Sequence, residues 1–239
     1  MHRLYVPPEQ IAALVRLSPF QSRHVELVLR LGTGAELEVF DGHGARWPAR
    51  IEAAGVLRLG ERAEDRPGAV DVWLAQGLAK GEKLDLVVQK ATELGATRIL
   101  PLAVGRSVVR LDAQGGERRA QRLRRVAQEA ARQSGRSDVP RVDLPHALTD
   151  LATLLAEEPD RRGILLDAGQ RDLRLSQAAR GASKLLLAVG PEGGFTPEER
   201  AFAASAGFVE ASLGRLVLRT ETAGLAALAI VRHLAGDLG

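Results

Sequence analysis

Cysteine is missing from all 239 residues. Disulfide staples, thiolate zinc sites, iron–sulfur clusters and a cysteine nucleophile are excluded together. Long apolar runs are missing too: stretches such as Ala223 to Val231 contain a glycine and stop far short of the roughly 20 residues of a membrane helix. The opening Met1-His-Arg-Leu-Tyr-Val-Pro7 has no apolar core of a secretory signal. The expectation is a soluble cytoplasmic protein with no membrane partner. The five histidines, at 2, 24, 43, 146 and 233, have no metal-ligand spacing, so no metal is expected. There is no G-x-S-x-G nucleophile elbow, which leaves acyl transfer without support.

What is present is ordinary for a globular chain: 45% hydrophobic and 26% charged residues, enough for one large domain or two smaller ones. The net charge is +3, from 33 basic and 30 acidic side chains, yet residues 101–141 hold ten basic against four acidic. This local field suits RNA or another polyanion, or else a solvated arginine-rich face.

The first sixty-odd residues read as short strands around one helix. Leu4 to Val6, Glu36 to Phe40, Arg46 to Ala53 and Val56 to Glu64 are strand-like, and residues 21–31 place Val25, Val28 and Leu29 at helical spacing. That pattern predicts a small β-barrel over residues 1–68, ending in the linker Asp65-Arg-Pro-Gly68. From 69 to 239 strands and helices alternate. The strands fall at Val70 to Leu74, Arg98 to Leu102, Ile164 to Leu166, Lys184 to Val189 and Val209 to Leu213. Helices are predicted for Glu82 to Leu94, Glu117 to Gln133, Thr196 to Ala206 and Glu221 to Leu234. The alternation predicts an α/β domain with a mainly parallel sheet.

Three constellations stand out. On the 117–133 helix Arg118, Arg122, Arg125 and Arg132, with Arg136 beyond it, share a stripe, opposite Leu123, Val126 and Ala130. Gly190-Pro-Glu-Gly-Gly-Phe195 joins a buried strand to the Thr196-Pro-Glu-Glu199 helix start; no Lys-Ser/Thr follows, and its acidic residues suit a neutral or cationic ligand better than a phosphate. Leu213-Gly-Arg-Leu-Val-Leu-Arg-Thr-Glu-Thr-Ala223 leads into the last helix, with Thr220 near its N-cap and Arg219 set against the helix dipole. An ordinary salt bridge at Arg219 and a bare strand–helix turn at Gly190 remain open alternatives.

Together with Lys80-Gly-Glu-Lys-Leu84, Gln89 to Pro101, Arg106-Ser107 and Gln128 to Arg136, these segments resemble the RsmE-type methyltransferases of the SPOUT superfamily, which modify N3 of a uridine in 16S ribosomal RNA. Gly105 departs from the family's acidic residue before the arginine. The resemblance implies a PUA-like barrel, a SPOUT domain whose end passes through a trefoil knot, and a homodimer acting on 16S RNA or the small ribosomal subunit. It implies S-adenosylmethionine held by Leu166, Gly190, Pro191, Glu192, Gly193, Leu213, Gly214, Leu218, Arg219, Thr220 and Thr222. Arg219 and Glu221 are the catalytic candidates, and Arg3, His24, Arg30, Lys80, Arg106 and Arg136 the candidates for RNA contact. A methyltransferase acting on another ribosomal or transfer RNA, and a non-catalytic RNA-binding or assembly factor, are the alternatives.

Overall fold

Short apolar stretches separated by turns become strands in the first part of the chain. In the computed structural model, which describes residues 1–78, 83–107, 113–170 and 172–239, these are β1 (Arg3–Tyr5), β2 (Leu14–Arg16), β3 (Glu36–Phe40), β4 (Ala45–Ala53), β5 (Val56–Leu59) and β6 (Ala63–Glu64). They form one sheet in the order β1-β3-β4-β5-β2, with β6 pairing β4. Its core includes Val15, Val25, Leu37, Val39, Trp47, Ile51 and Leu57. The alternation of β3 fails at Glu38, which is buried because Arg3 Nε and Arg46 Nη1 donate to its carboxylate at 2.7 and 2.9 Å. A buried carboxylate is tolerated when cations pair with it this closely.

The helix expected over 21–31 begins earlier and changes character. Ser18 and Gln21 form a capping box that starts α1 (Pro19–Arg23), which widens into a π turn over His24–Val28. The wider turn rotates Val28 away from Val25, leaving Val28 exposed while Val25 stays buried.

The second part builds a six-stranded, wholly parallel sheet from β7 (Asp71–Gly77), β8 (Arg98–Leu102), β9 (Arg141–Val142), β10 (Arg162–Leu166), β11 (Lys184–Val189) and β12 (Val209–Ala211), in the order β12-β10-β11-β7-β8-β9. The helices are α2 (Lys83–Glu93), α3 (Ala113–Ser134), α4 (Leu148–Glu157), α5 (Leu175–Ala178), α6 (Pro197–Ser205) and α7 (Thr220–Leu234). Leu84, Val87, Val88 and Ala91 form the buried face of α2, whereas Leu86 is exposed. On α3 the buried stripe runs Ala120, Leu123, Ala127 and Ala130–Ala131; Val126 lies at its margin. The guanidinium groups of Arg98 and Arg161 lie 4.4 and 3.6 Å from the ring centre of Trp73 in β7.

Contacts divide the chain into residues 1–67 with 128–139, and residues 68–127 with 140–239. The end of α3 and the turn after it therefore belong to the first unit, tied there by Arg3 donating to Arg136 O and Ser137 Oγ, both at 2.8 Å. No helix among the described residues is long and apolar enough to cross a membrane.

Candidate active site

In an open parallel sheet, ligands sit outside the carboxyl ends of the strands where the strand order reverses. Here β10 leads to its neighbour β11, and β11 leads back past β10 to β12. A cavity of about 410 Å³ lies there, walled by Leu166–Ala168 after β10, by the Gly190–Phe195 loop after β11, and by the segment from Leu213 into the first turn of α7.

The loop after β11 runs directly over β7: a Cβ on Gly77 would fall onto the backbone of Gly190 and Pro191. Gly194 turns the loop back with φ +67°, and its N–H donates to Pro191 O at 2.9 Å. Thr220, the first residue of α7 and not its cap, donates from Oγ1 to Gly190 O at 2.5 Å and accepts from Gln76 Nε2 at 2.8 Å. Arg219 is the N-cap, with no side-chain capping bond. Thr196 and Glu199 form the capping box of α6, and Glu199 Oε1 also accepts from Gly105 N at 2.6 Å. A side chain at 105 would start 3.3 Å from the Glu199 carboxylate, a tight approach that a small shift of Glu199 relieves.

Charges line the cavity unevenly. Lys83 Nζ stands 3.0 Å from Glu192 Oε1 and 3.8 Å from Glu221 Oε2. Glu221 Oε2 is buried and has no hydrogen-bond partner. The exposed Arg219 faces the cavity, and among the described residues no carboxylate pairs with it. On the β10 side Asp167 is held by Arg200 Nη1 and by Gly169 N, each at 3.0 Å.

Of the expected cofactor residues, Leu166, Gly190, Pro191, Glu192, Leu213, Gly214, Leu218, Arg219 and Thr220 line the cavity, as does Glu221. Gly193 and Thr222 do not. Gly193 faces outward beneath Arg106, which donates to its carbonyl at 2.8 Å, and Thr222 is exposed on the first turn of α7. Lys83, Asp167 and Gln76 escaped the sequence reading. Lys83 had a signal, since it is the second lysine of the Lys80-Gly-Glu-Lys motif.

The residues expected to touch RNA are scattered. Arg3 is buried and fully engaged, so it acts as a structural cation, and Arg136 is bonded to Asp138. His24 lies in the π turn, and Arg30 is exposed with φ 55°. Lys80 lies outside the described residues. On α3, Arg118, Arg122 and Arg125 are exposed, although Arg122 pairs with Asp85 and Arg132 with Glu129.

A cavity at the strand ends, walled by glycine loops and lined by charged and apolar side chains, can hold a small ligand with cationic and apolar parts. The family model described as an RNA methyltransferase domain matches residues 66–232, and that of an RNA methyltransferase PUA domain matches residues 21–55. Ribosomal RNA small subunit methyltransferase E of Bacillus subtilis is 36% identical over 224 residues, covering 88% of this chain and 86% of that protein. This chain belongs to the ribosomal RNA small subunit methyltransferase E family. The family member from Mycobacterium tuberculosis is 35% identical, covering 87% of this chain and 82% of its own. The Neisseria gonorrhoeae member, solved bound to S-adenosyl methionine, superposes with a TM-score of 0.87 at 29% identity, covering 98% of both chains.

Proposed function

We propose that this protein transfers a methyl group from S-adenosylmethionine to N3 of a uridine in 16S ribosomal RNA. The observation that carries this reading is the cavity at the ends of β10 and β11, where Arg219, with no carboxylate partner among the described residues, and Glu221, whose Oε2 is buried, flank the first residue of α7. The residues fit the cofactor. Leu166, Leu213 and Leu218 offer apolar walls, the Gly190–Gly194 loop allows close backbone approach, and Glu192 and Glu221 are anions suited to a sulfonium and an ammonium. When bound, S-adenosylmethionine supplies a methyl group activated by the positive sulfur.

Uridine N3 must lose its proton to attack. With a pKa about two units above ambient pH this costs roughly 2.7 kcal/mol. Arg219 offsets the cost by stabilising negative charge on the uracil carbonyl oxygens. Glu221 Oε2 accepts the proton: it is buried and takes part in no hydrogen bond, and none joins Glu221 to Arg219, so an orienting role is the poorer fit. Lys83, 3.8 Å away, keeps that carboxylate in place. The transfer is a direct displacement with no covalent enzyme intermediate, and it depends on positioning.

In this reading residues 1–68 form the PUA-like barrel that helps hold RNA and residues 69–239 the methyltransferase domain, in a cytoplasmic enzyme. His24, Arg30, Arg106 and the exposed arginines of α3 contact phosphate. The chain end is knotted. In support, Ser212 is bonded through its backbone to Leu173 and Leu175, so the segment leaving β12 runs along the loop after β10 before reaching α7. A homodimer covers Leu216 and Val217, which are 79% and 81% exposed beside the cavity.

Titration calorimetry with S-adenosylmethionine, followed by nucleoside analysis of small-subunit RNA after incubation with the enzyme, tests the reading. Binding together with 3-methyluridine is the expected result. A methyl group on another nucleotide would point to a sister enzyme of the superfamily, and folded protein without cofactor binding to an RNA-binding factor.

A further inference from the structure

β7 is a central strand between β11 and β8, and its neighbours Trp73, Leu74 and Ala75 are buried and apolar. Gln76, in the same strand, is 1% exposed, and its Oε1 has no hydrogen-bond partner. Orphaned buried acceptors are costly, and leucine would fill similar volume without that cost. A residue set so firmly against its surroundings is explained by a task.

Its amide defines the task. The 2.5 Å approach of Thr220 Oγ1 to Gly190 O requires the hydroxyl proton between them, because a carbonyl can only accept. Thr220 Oγ1 must then accept from its other neighbour, so Gln76 presents its NH2. Nε2 lies 2.8 Å from Thr220 Oγ1 and 3.4 Å from Thr220 O. Oε1 is left facing Gly224, where a Cβ would come within 2.5 Å of it.

We infer that Gln76 is a positioning residue: by locking the Thr220 hydroxyl onto the Gly190 carbonyl, it fixes the Gly190–Gly194 loop in register with Arg219 and Glu221. The inference rests on the reading of that loop as part of the cofactor site. Without the Gln76 donor, the Thr220 hydroxyl is free to turn to other acceptors, and the loop loses one of its fixed points. The first turn of α7 carries the two catalytic candidates on either side of Thr220, so one hydrogen-bond relay aligns loop and catalytic groups together.

Three variants test it: Gln76→Leu, Thr220→Val and the conservative Thr220→Ser. In cofactor-free protein, hydrogen exchange at the Gly194 amide is expected to quicken about tenfold in the first two, the worth of roughly one net hydrogen bond, and to stay at the wild-type rate in Thr220→Ser. Gln76→Leu melts no lower than wild type, and calorimetry shows S-adenosylmethionine binding about tenfold more weakly. Wild-type exchange at Gly194 in Gln76→Leu overturns the inference. So does an equal quickening of the β7 and β11 amides, which would mean general loosening. Faster Gly194 exchange in a protein whose wild type binds no S-adenosylmethionine supports the relay and removes the cofactor reading instead.

Discussion

Arg219 stands at the head of α7, where the helix dipole favours an anion, and no carboxylate among the described residues neutralises it. Its charge is available to the substrate. Arg219→Ala is expected to slow single-turnover methylation by about a hundredfold or more at saturating RNA while leaving thermal stability unchanged. Glu221→Gln is expected to be slow at neutral pH and to recover as pH rises, when solvent takes the N3 proton; an unchanged pH–rate profile would remove the proton-acceptor role. Asp143 carries a different kind of charge. Its burial raises its pKa, but hydrogen bonds from His146 and Arg98 and the charge of Arg141 outweigh that and bring it down from 3.8 to about 2. A depressed carboxyl pKa stabilises the fold above the unfolded value, and the contribution is lost as pH falls through the folded one. Here it is worth about 2 kcal/mol above pH 4 and disappears towards pH 2. Urea unfolding from pH 5 to pH 2 is expected to show this slope in wild type and a flatter one in Asp143→Asn, which is also less stable at neutral pH. That Arg219, Glu221, Gly190 and Gly214 lie close to one another was legible in sequence, because they sit in dense local motifs, and all four line the cavity. Gln76 was not, because it meets its partner across 144 positions; the motif that holds Lys83 was visible, but its partner Glu192, 109 positions away, was not.

At the scale of elements, legibility follows how locally each boundary is encoded. α6 falls where expected because Thr196, Pro197 and Glu199 specify a helix start within four residues. β8 and β11 match their expected limits because each opens on a polar residue, Arg98 or Lys184, that leads into a buried run. The π turn after α1 was not legible, since it preserves helical spacing while changing the residues per turn, and it is the buried state of Val25 alone that reveals it. The short elements β2, β9 and α5 carry too little pattern to be read without their neighbours. Thr196→Ala removes the cap of α6 and is expected to cost about 1 kcal/mol in urea unfolding. Because Glu199 also holds Gly105 N, Glu199→Ala is expected to cost more than the cap alone and to quicken hydrogen exchange at Gly105.

At the scale of the whole molecule, strand–helix alternation predicted the parallel sheet, but not the discontinuity that assigns residues 128–139 to the first unit. No periodicity marks the middle of an unbroken helix as a boundary; Arg3, Glu38 and Ser137 create it through pairings across more than thirty and more than a hundred positions. Sedimentation is expected to give twice the chain mass, falling to one chain mass when Leu216 and Val217 are both changed to Asp. RNA binding is expected to weaken steeply with salt, and Arg30→Ala and Arg125→Ala to lessen that slope, as phosphate contacts do.

The placement of the two tryptophans gives the molecule a built-in optical separation. Trp47 lies in the core of the first unit and Trp73 in the second, each 8% exposed. Trp73 has two guanidinium groups against its ring, so its excited state feels fixed positive charge. Replacing either one with phenylalanine leaves a single tryptophan, which, excited selectively, reports on one unit only. Emission from the two single-tryptophan proteins can therefore show whether the units unfold as one cooperative body or in separate steps.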